Sequence, residues 1–230
     1  MSIEAYNVSS EQTADRTIAS RDPAVAEARC LAFAVMSDLM ASPHDVESTI
    51  HTSDQVIDFG SLPYDVPGLQ ELIADFRATP VDDLKRAYSS MFEVGSDGPP
   101  VPVREDLQLG QKAGVREELV RFYEYFGYTL GEKFAWAPDH LSVELEFMHY
   151  LTYGEALAVS EDGGDPVSFQ LAQADFIERH LVNWVPKLQH EVQAQGPDSL
   201  YCRVVSTLNS FLTADYQWQS GTISYSGVAS

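Results

Sequence analysis

The stretch Pro138-Asp139-His140-Leu141-Ser142-Val143-Glu144-Leu145-Glu146-Phe147-Met148-His149 concentrates the side chains best able to do chemistry. His140 and Glu144 are four residues apart, so on a helix they share a face and could supply two ligands to one metal ion. Glu146-Phe147-Met148-His149 is a Glu-x-x-His unit of the kind that di-iron bundles use. Such a centre needs a second unit on a facing helix. The remaining histidines have Ser48, Ala41, Ala137, Ile177 and Lys187 at that spacing instead. Asp139 and His140 beside a serine could also form a relay. In a purely structural role, Asp139 would charge a helix start and His140 would hydrogen-bond a neighbouring loop. A metal-dependent enzyme using His140, Glu144, Glu146 and His149 is therefore one reading. Stoichiometric metal in the purified protein, lost on mutating His140 and Glu144, would favour it.

The element that must position these groups is a helix. Leu141, Leu145, Met148 and Thr152 recur at one face of a 3.6-residue repeat. Pro138 suits a first helical turn, where its missing N–H costs nothing. Before it, residues 1–21 read as a polar arm. Asp22-Pro23 caps and starts a helix carrying Ala28, Leu31, Ala32, Val35 and Leu39. Leu69, Leu72, Ile73 and Phe76 mark a further helix, and Thr79-Pro80 starts another through Leu84, Tyr88 and Met91. Residues 93–110 hold Gly95, Gly98, Pro99, Pro100 and Pro102, which predicts a long extended connection and a possible hinge. Val115, Leu119, Phe122 and Phe126 form the next helix, closed by Gly127. After a break at Glu161-Asp162-Gly163-Gly164, Asp165-Pro166 restarts. Ile177, Leu181, Trp184 and Leu188 predict a long helix kinked at Pro186. A last helix carries Tyr201, Val204, Val205, Leu208 and Leu212, and residues 219–230 read as a disordered tail. Alternating strand patterns are absent, so the fold class is all-α: a compact helical bundle over residues 22–218.

Composition narrows the function. The chain has 230 residues, 14 Lys and Arg against 35 Asp and Glu, and a net charge of −21. That field repels phosphate backbones and excludes nucleic acid as a natural partner. It attracts a basic peptide. Residues 1–22 lack the apolar core of a signal peptide, and no apolar run reaches the ~20 residues of a membrane span. Cys30 and Cys202 have no metal-type spacing and read as buried free thiols, which favours the reducing cytoplasm. No Gly-x-Ser-x-Gly or phosphate-cradling loop is present. The aromatic set Phe122, Tyr123, Tyr125, Phe126, Tyr128 and Trp136 reads mainly as core. With the acidic rim and the long connection, it also suits a groove for an apolar helix or peptide with a basic end.

Several segments carry a resemblance. Pro138-Asp139-His140-Leu141 with Glu144-Leu145-Glu146-Phe147-Met148 resembles the signature of the TorD/DmsD/NarJ family of molybdoenzyme chaperones, also called redox enzyme maturation proteins. Tyr88-Ser89-Ser90-Met91-Phe92 and Pro99-Pro100-Val101-Pro102 with Glu105 are similar to its Tyr-x-x-Leu-Phe segment and proline-rich connection. Val115-Arg116 to Tyr128, and His180-Leu181-Val182-Asn183-Trp184-Val185-Pro186, follow in family order, so the likeness covers roughly residues 25–215. Ala137 stands where the family often has an acid, and Arg104-Glu105-Asp106 stands where many members have Tyr-Glu-Ser. The resemblance implies an all-helical, non-catalytic cytoplasmic protein without a cofactor of its own. It would bind the twin-arginine leader of an apo-molybdenum oxidoreductase subunit, of the nitrate, dimethyl sulfoxide or trimethylamine N-oxide reductase type, until cofactor insertion. Asp139 and His140 match the pair implicated in leader recognition, and Phe92, Glu105 and Glu144 are expected on its rim. The protein would be a monomer or a domain-swapped dimer. A permanent assembly subunit is the remaining alternative, marked by co-purification with the mature enzyme.

Overall fold

The computed structural model describes residues 16–18, 22–53, 55–96, 98–131, 137–160 and 164–225. In chain order these form β1 (Arg16–Ile18), α1 (Pro23–Met40), α2 (Thr49–Thr52), α3 (Leu69–Ala78), α4 (Val81–Phe92), α5 (Glu105–Gln108), α6 (Val115–Tyr125), α7 (Leu141–Ser160), α8 (Pro166–Phe176), a π-helical turn (Ile177–Leu181), α9 (Val185–Gln195), α10 (Leu200–Thr222) and β2 (Ile223–Tyr225). The fold is all-α. Among the described residues the one sheet is the short antiparallel pairing of β1 with β2, which the sequence pattern did not announce. The tail expected over 219–230 is correspondingly shorter at its start, because α10 runs on through Thr222. Residues 226–230, most of the expected arm, Trp136 and the break at 161–163 lie outside the described residues.

α7 is the axial helix. Leu141, Val143, Leu145, Phe147, Met148, Leu151 and Thr152 are all buried, so it is covered nearly all round. α1 lies along one side of it and α8 along another. Gly154 allows the second contact: a Cβ there would lie 2.4 Å from Phe169 Cε1. α10 closes the core, packing on α9, α3, α4 and α8. Phe122 and Tyr123 of α6 belong to this core, while Tyr125 at its end is exposed. Tyr123 meets Phe147 edge-on at 4.7 Å and Phe122 meets Phe176 at 5.5 Å, so they do not line a groove.

Local signals act as their chemistry requires. Asp22 Oδ1 accepts from the Ala24 amide at 3.0 Å and Asp165 Oδ1 from that of Val167 at 3.1 Å, each just before a proline. Gly127, at φ 71°, ends α6 in the left-handed conformation. Two expectations are corrected. Pro186 does not kink one long helix; the chain breaks after the π-helical turn, and Pro186 enters the first turn of α9, where no N–H is needed. Pro138 likewise does not open the central helix. α7 starts at Leu141, and Pro138 and Asp139 form a turn ahead of it, closed by the His140 amide donating to Ala137 O at 3.1 Å.

An ionic cluster lies inside the bundle. Arg29 of α1 is fully buried. Its Nε donates to Asp215 Oδ1 at 2.7 Å, Nη1 to Glu155 Oε2 at 2.9 Å, and Nη2 to Gln173 Oε1 at 2.7 Å. Tyr64 donates its hydroxyl to Asp215 at 2.5 Å and Gln170 donates to Glu155 at 2.6 Å. Trp218 covers the guanidinium at 4.8 Å. Burial alone would push Arg29 toward neutrality, but Asp215 and Glu155 more than reverse this and keep it charged. Removing one partner of such a group strands the other charges without solvent. Arg29→Met is therefore expected to lower the unfolding free energy by about 3–5 kcal/mol, read as a shifted urea midpoint at unchanged slope. A loss below about 1 kcal/mol would place the two carboxylates in a far more solvated setting.

Candidate functional site

The proline-rich connection folds back and is pinned at both ends. Val101 N–H donates to Met91 O at 3.0 Å. Further on, Arg104 and His140 form an isolated antiparallel bridge. Glu105 N–H donates to Asp139 O and Leu141 N–H to Val103 O, both at 3.0 Å. This bridge takes up the backbone just ahead of α7. It also brings two acid-rich sequence segments together, although they lie far apart in the chain.

Asp139 is completely buried, and its carboxylate is already matched. Arg104 Nη2 donates to Oδ1 at 3.0 Å, and Arg104 Nε donates to both oxygens at 3.2 and 3.3 Å. Arg116 Nε lies 3.5 Å from Oδ1, and the Asp106 amide donates to Oδ2 at 3.3 Å. Burial works against the charge, but Asp106 and Arg104 win, and Asp139 titrates below the ordinary carboxylate range. Asp106 moves the other way, up to about 6, through burial and the adjacent Asp139.

His140 accepts the Ser142 amide at Nδ1, with Ser142 Oγ 2.8 Å from the same nitrogen. Nε2 therefore carries the proton and donates to Tyr88 Oη at 3.2 Å. Burial depresses its pKa to about 4, against the pull of Asp139, so the ring is neutral near pH 7. Tyr88 stacks edge-on against Phe92 at 5.0 Å, which is how Phe92 reaches this centre: indirectly, as a buried packing side chain.

Glu105 and Glu144 lie deeper. Glu105 Oε2 pairs with His180 Nδ1 at 2.9 Å, both residues being buried. Glu144 Oε2 accepts Trp184 Nε1–H at 3.3 Å, while Oε1 has no hydrogen-bond partner. Burial, then the charges of Glu105 and Asp139, raise Glu144 well above its usual range.

The structure thus gathers Asp139, His140, Glu105 and Glu144 around one junction, with Phe92 a contact further out. None of the four carboxylate or aromatic side chains is exposed, and only His140 is partly so. Arg104, Arg116, His180 and Trp184 complete the centre and were not picked out as site residues. Arg104 was visible as a departure from the family pattern; Arg116, His180 and Trp184 lie in segments resembling the family, but nothing local marks them as partners of Asp139 and Glu144. The quartet considered for metal does not converge. His140 is engaged by Tyr88 and Ser142, His149 Nδ1 lies 3.0 Å from Cys30 O, and Glu146 is exposed. Among the described residues no three His, Cys, Asp or Glu side chains are placed to hold a metal ion.

Fold and centre together define an all-helical scaffold whose charged groups are satisfied from within. Residues 60–189 match the family model described as nitrate reductase delta subunit. That span is over half of the chain and contains the whole junction; the chain belongs to this family, the TorD/NarJ type of molybdoenzyme chaperone. It is 36% identical over 136 residues to the selenate reductase assembly chaperone protein of Thauera selenatis, covering 58% of this chain and 68% of the relative. It is 32% identical over 157 residues to the perchlorate reductase assembly chaperone protein of Dechloromonas aromatica (strain RCB), covering 65% and 70%. To the chlorate reductase assembly chaperone protein of Ideonella dechloratans it is 32% identical over 133 residues, covering 57% and 67%.

His140 and Glu144 have opposite pH signatures. Between pH 6.5 and about 4 the unfolded chain protonates His140 and the folded one does not. The wild type is therefore expected to lose up to ~3 kcal/mol relative to His140→Gln as pH falls through that window. For Glu144 the folded pKa is raised, so stability is complete below the unfolded value and declines as pH rises. Glu144→Gln, which mimics the protonated acid, is expected to match or exceed wild-type stability at pH 8 in urea titrations. A markedly weaker variant would mean that the folded protein holds Glu144 ionised.

Proposed function

We propose that this protein is a cytoplasmic assembly chaperone for the catalytic subunit of a molybdenum oxidoreductase. It binds the subunit's twin-arginine leader or N-terminal segment and holds the apo form until the cofactor is inserted. The observation that carries this reading is the family match over residues 60–189, joined to relatives named as reductase assembly chaperones. The net charge of −21 supports a partner with a basic segment. The junction's carboxylates are matched by groups of the same chain, Asp139 by Arg104 and Glu105 by His180, which supports a scaffold rather than a reactive centre. In this reading the protein catalyses no reaction, and residues 22–218 act as one domain. The connection at 93–110 is the hinge of any swapped dimer.

Asp139 and His140 retain a role in leader recognition here, with a condition set by geometry. A client arginine can reach Asp139 only by exchanging with the Arg104 guanidinium, because that carboxylate is buried and bound. Such an exchange conserves the ion pair, so its cost is desolvation and side-chain ordering rather than a stranded charge.

The test is affinity capture from the native host with the wild type and with Asp139→Asn/His140→Gln. The wild type is expected to retain an apo-catalytic subunit with its leader intact and without molybdenum. Retention of the mature, cofactor-loaded enzyme instead would establish a permanent assembly subunit. Equal retention by the double variant would move recognition away from Asp139 and His140.

A further inference from the structure

Away from the buried junction, α1 and α7 leave an open apolar groove of about 280 Å³ between them. Leu31, Tyr153 and Leu157 line it and are 37%, 53% and 45% exposed. The other large exposed apolar side chains among the described residues, Val56, Val81, Val94 and Tyr125, lie on neither helix. Water-exposed aliphatic and aromatic groups gathered on two rigidly packed helices mark an interaction surface. The α7 wall runs from His149 to Ser160, about 16 Å or three helical turns.

Charge says what fits. Arg29 is the only cation in the sequences of α1, α7 and α8, and it is fully buried. Glu27 lines the groove, and Glu146 continues the same α7 stripe one turn before His149, exposed. Among the described residues of these helices, the exposed charges beside the groove are therefore anionic. We propose that this groove docks a basic amphipathic helix of the client protein, with apolar residues at i, i+3, i+4 and i+7 inserted between Leu31, Tyr153 and Leu157 and Lys or Arg facing Glu27 and Glu146. The proposal rests on the chaperone reading and adds a second contact surface to it, separate from Asp139. A second copy of the chain fits poorly, since like charge opposes it. An anionic membrane is repelled for the same reason. The groove also lacks the several converging polar groups that orient a small ligand.

The probes are fluorescein-labelled peptides from the N-terminal segments of the host's molybdenum oxidoreductase catalytic subunits, measured by anisotropy against the full chain. Leu31→Lys and Leu157→Lys replace exposed side chains, and melting curves verify that each variant is folded. Each is expected to weaken the binding peptide roughly tenfold or more, as loss of an interface anchor does. Replacing the peptide's Lys and Arg by Glu should weaken binding to the wild type and less so to Glu27→Lys. Bound peptide should slow alkylation of Cys30, which lines the groove, relative to Cys202. Wild-type affinity in both lysine variants overturns the groove and leaves the chaperone reading intact. No binding of any peptide to the wild type overturns both. A concentration-dependent dimer abolished by the lysine variants, or groove-dependent binding to anionic vesicles, assigns the surface to another occupant and overturns the proposal.

Discussion

Arg29 is the constraint around which the bundle is arranged. One guanidinium holds a carboxylate of α7 and one of α10 and an amide of α8, while Tyr64 brings in the loop ahead of α3. Helices that would otherwise meet only through interchangeable apolar contacts are given one register. Hydrophobic packing tolerates sliding by a turn; a fully desolvated bidentate ion pair with every lone pair assigned does not. Gln170, Gln173 and Gln219 are neutral donors to the same carboxylates, which is what keeps two acids tolerable beside a single cation.

The junction at Asp139 uses the same physics for a different end. It too surrounds a buried carboxylate with guanidinium groups, but its partners come from a loop and a helix edge. Arg104 keeps about a fifth of its side chain in solvent, whereas Arg29 keeps none. The first cluster is closed and the second has a way out. A neutral imidazole and a Glu105–His180 pair beneath it leave few uncompensated charges near Asp139, so rearrangement there strands few groups.

Much of the fold was legible because its signals are local. Asp22, Asp165 and Gly127 mark helix ends through groups within a few residues of themselves, and the apolar repeat of α7 follows from helix geometry. The candidate residues Asp139, His140, Glu105 and Glu144 lie close together in the sequence or in segments that the backbone bridge brings together. What they face was not legible: burial of all the carboxylates follows from a backbone bridge between residues 103–105 and 139–141, and such a bridge leaves no periodicity in sequence. Arg104 was noticed only as an unusual residue, and its partner emerged from the pairing. His180 and Trp184 reach the junction from a π-helical turn and the residues after it, a geometry that the uninterrupted repeat through Leu188 concealed. The exposed groove was hidden for a related reason. Leu31 and Leu157 belong to apolar helices, and periodicity does not distinguish a covered stripe from one left bare.

The pairing of α1 with α7 also has a consequence for how the molecule is made. A ribosome delivers α1 early, with Phe33, Met36 and Leu39 already committed to being buried, yet the surface that buries them arrives more than a hundred residues later. The distance from Arg29 to Glu155 is 126 residues and to Asp215 is 186. Contacts of such separation form slowly, because a long loop must close before any of them is rewarded. For much of its synthesis the nascent chain therefore shows bare apolar helices of the sort that invite unwanted association. Its relatives are named assembly chaperones, and this chain in its own synthesis passes through a stage with bare apolar helices.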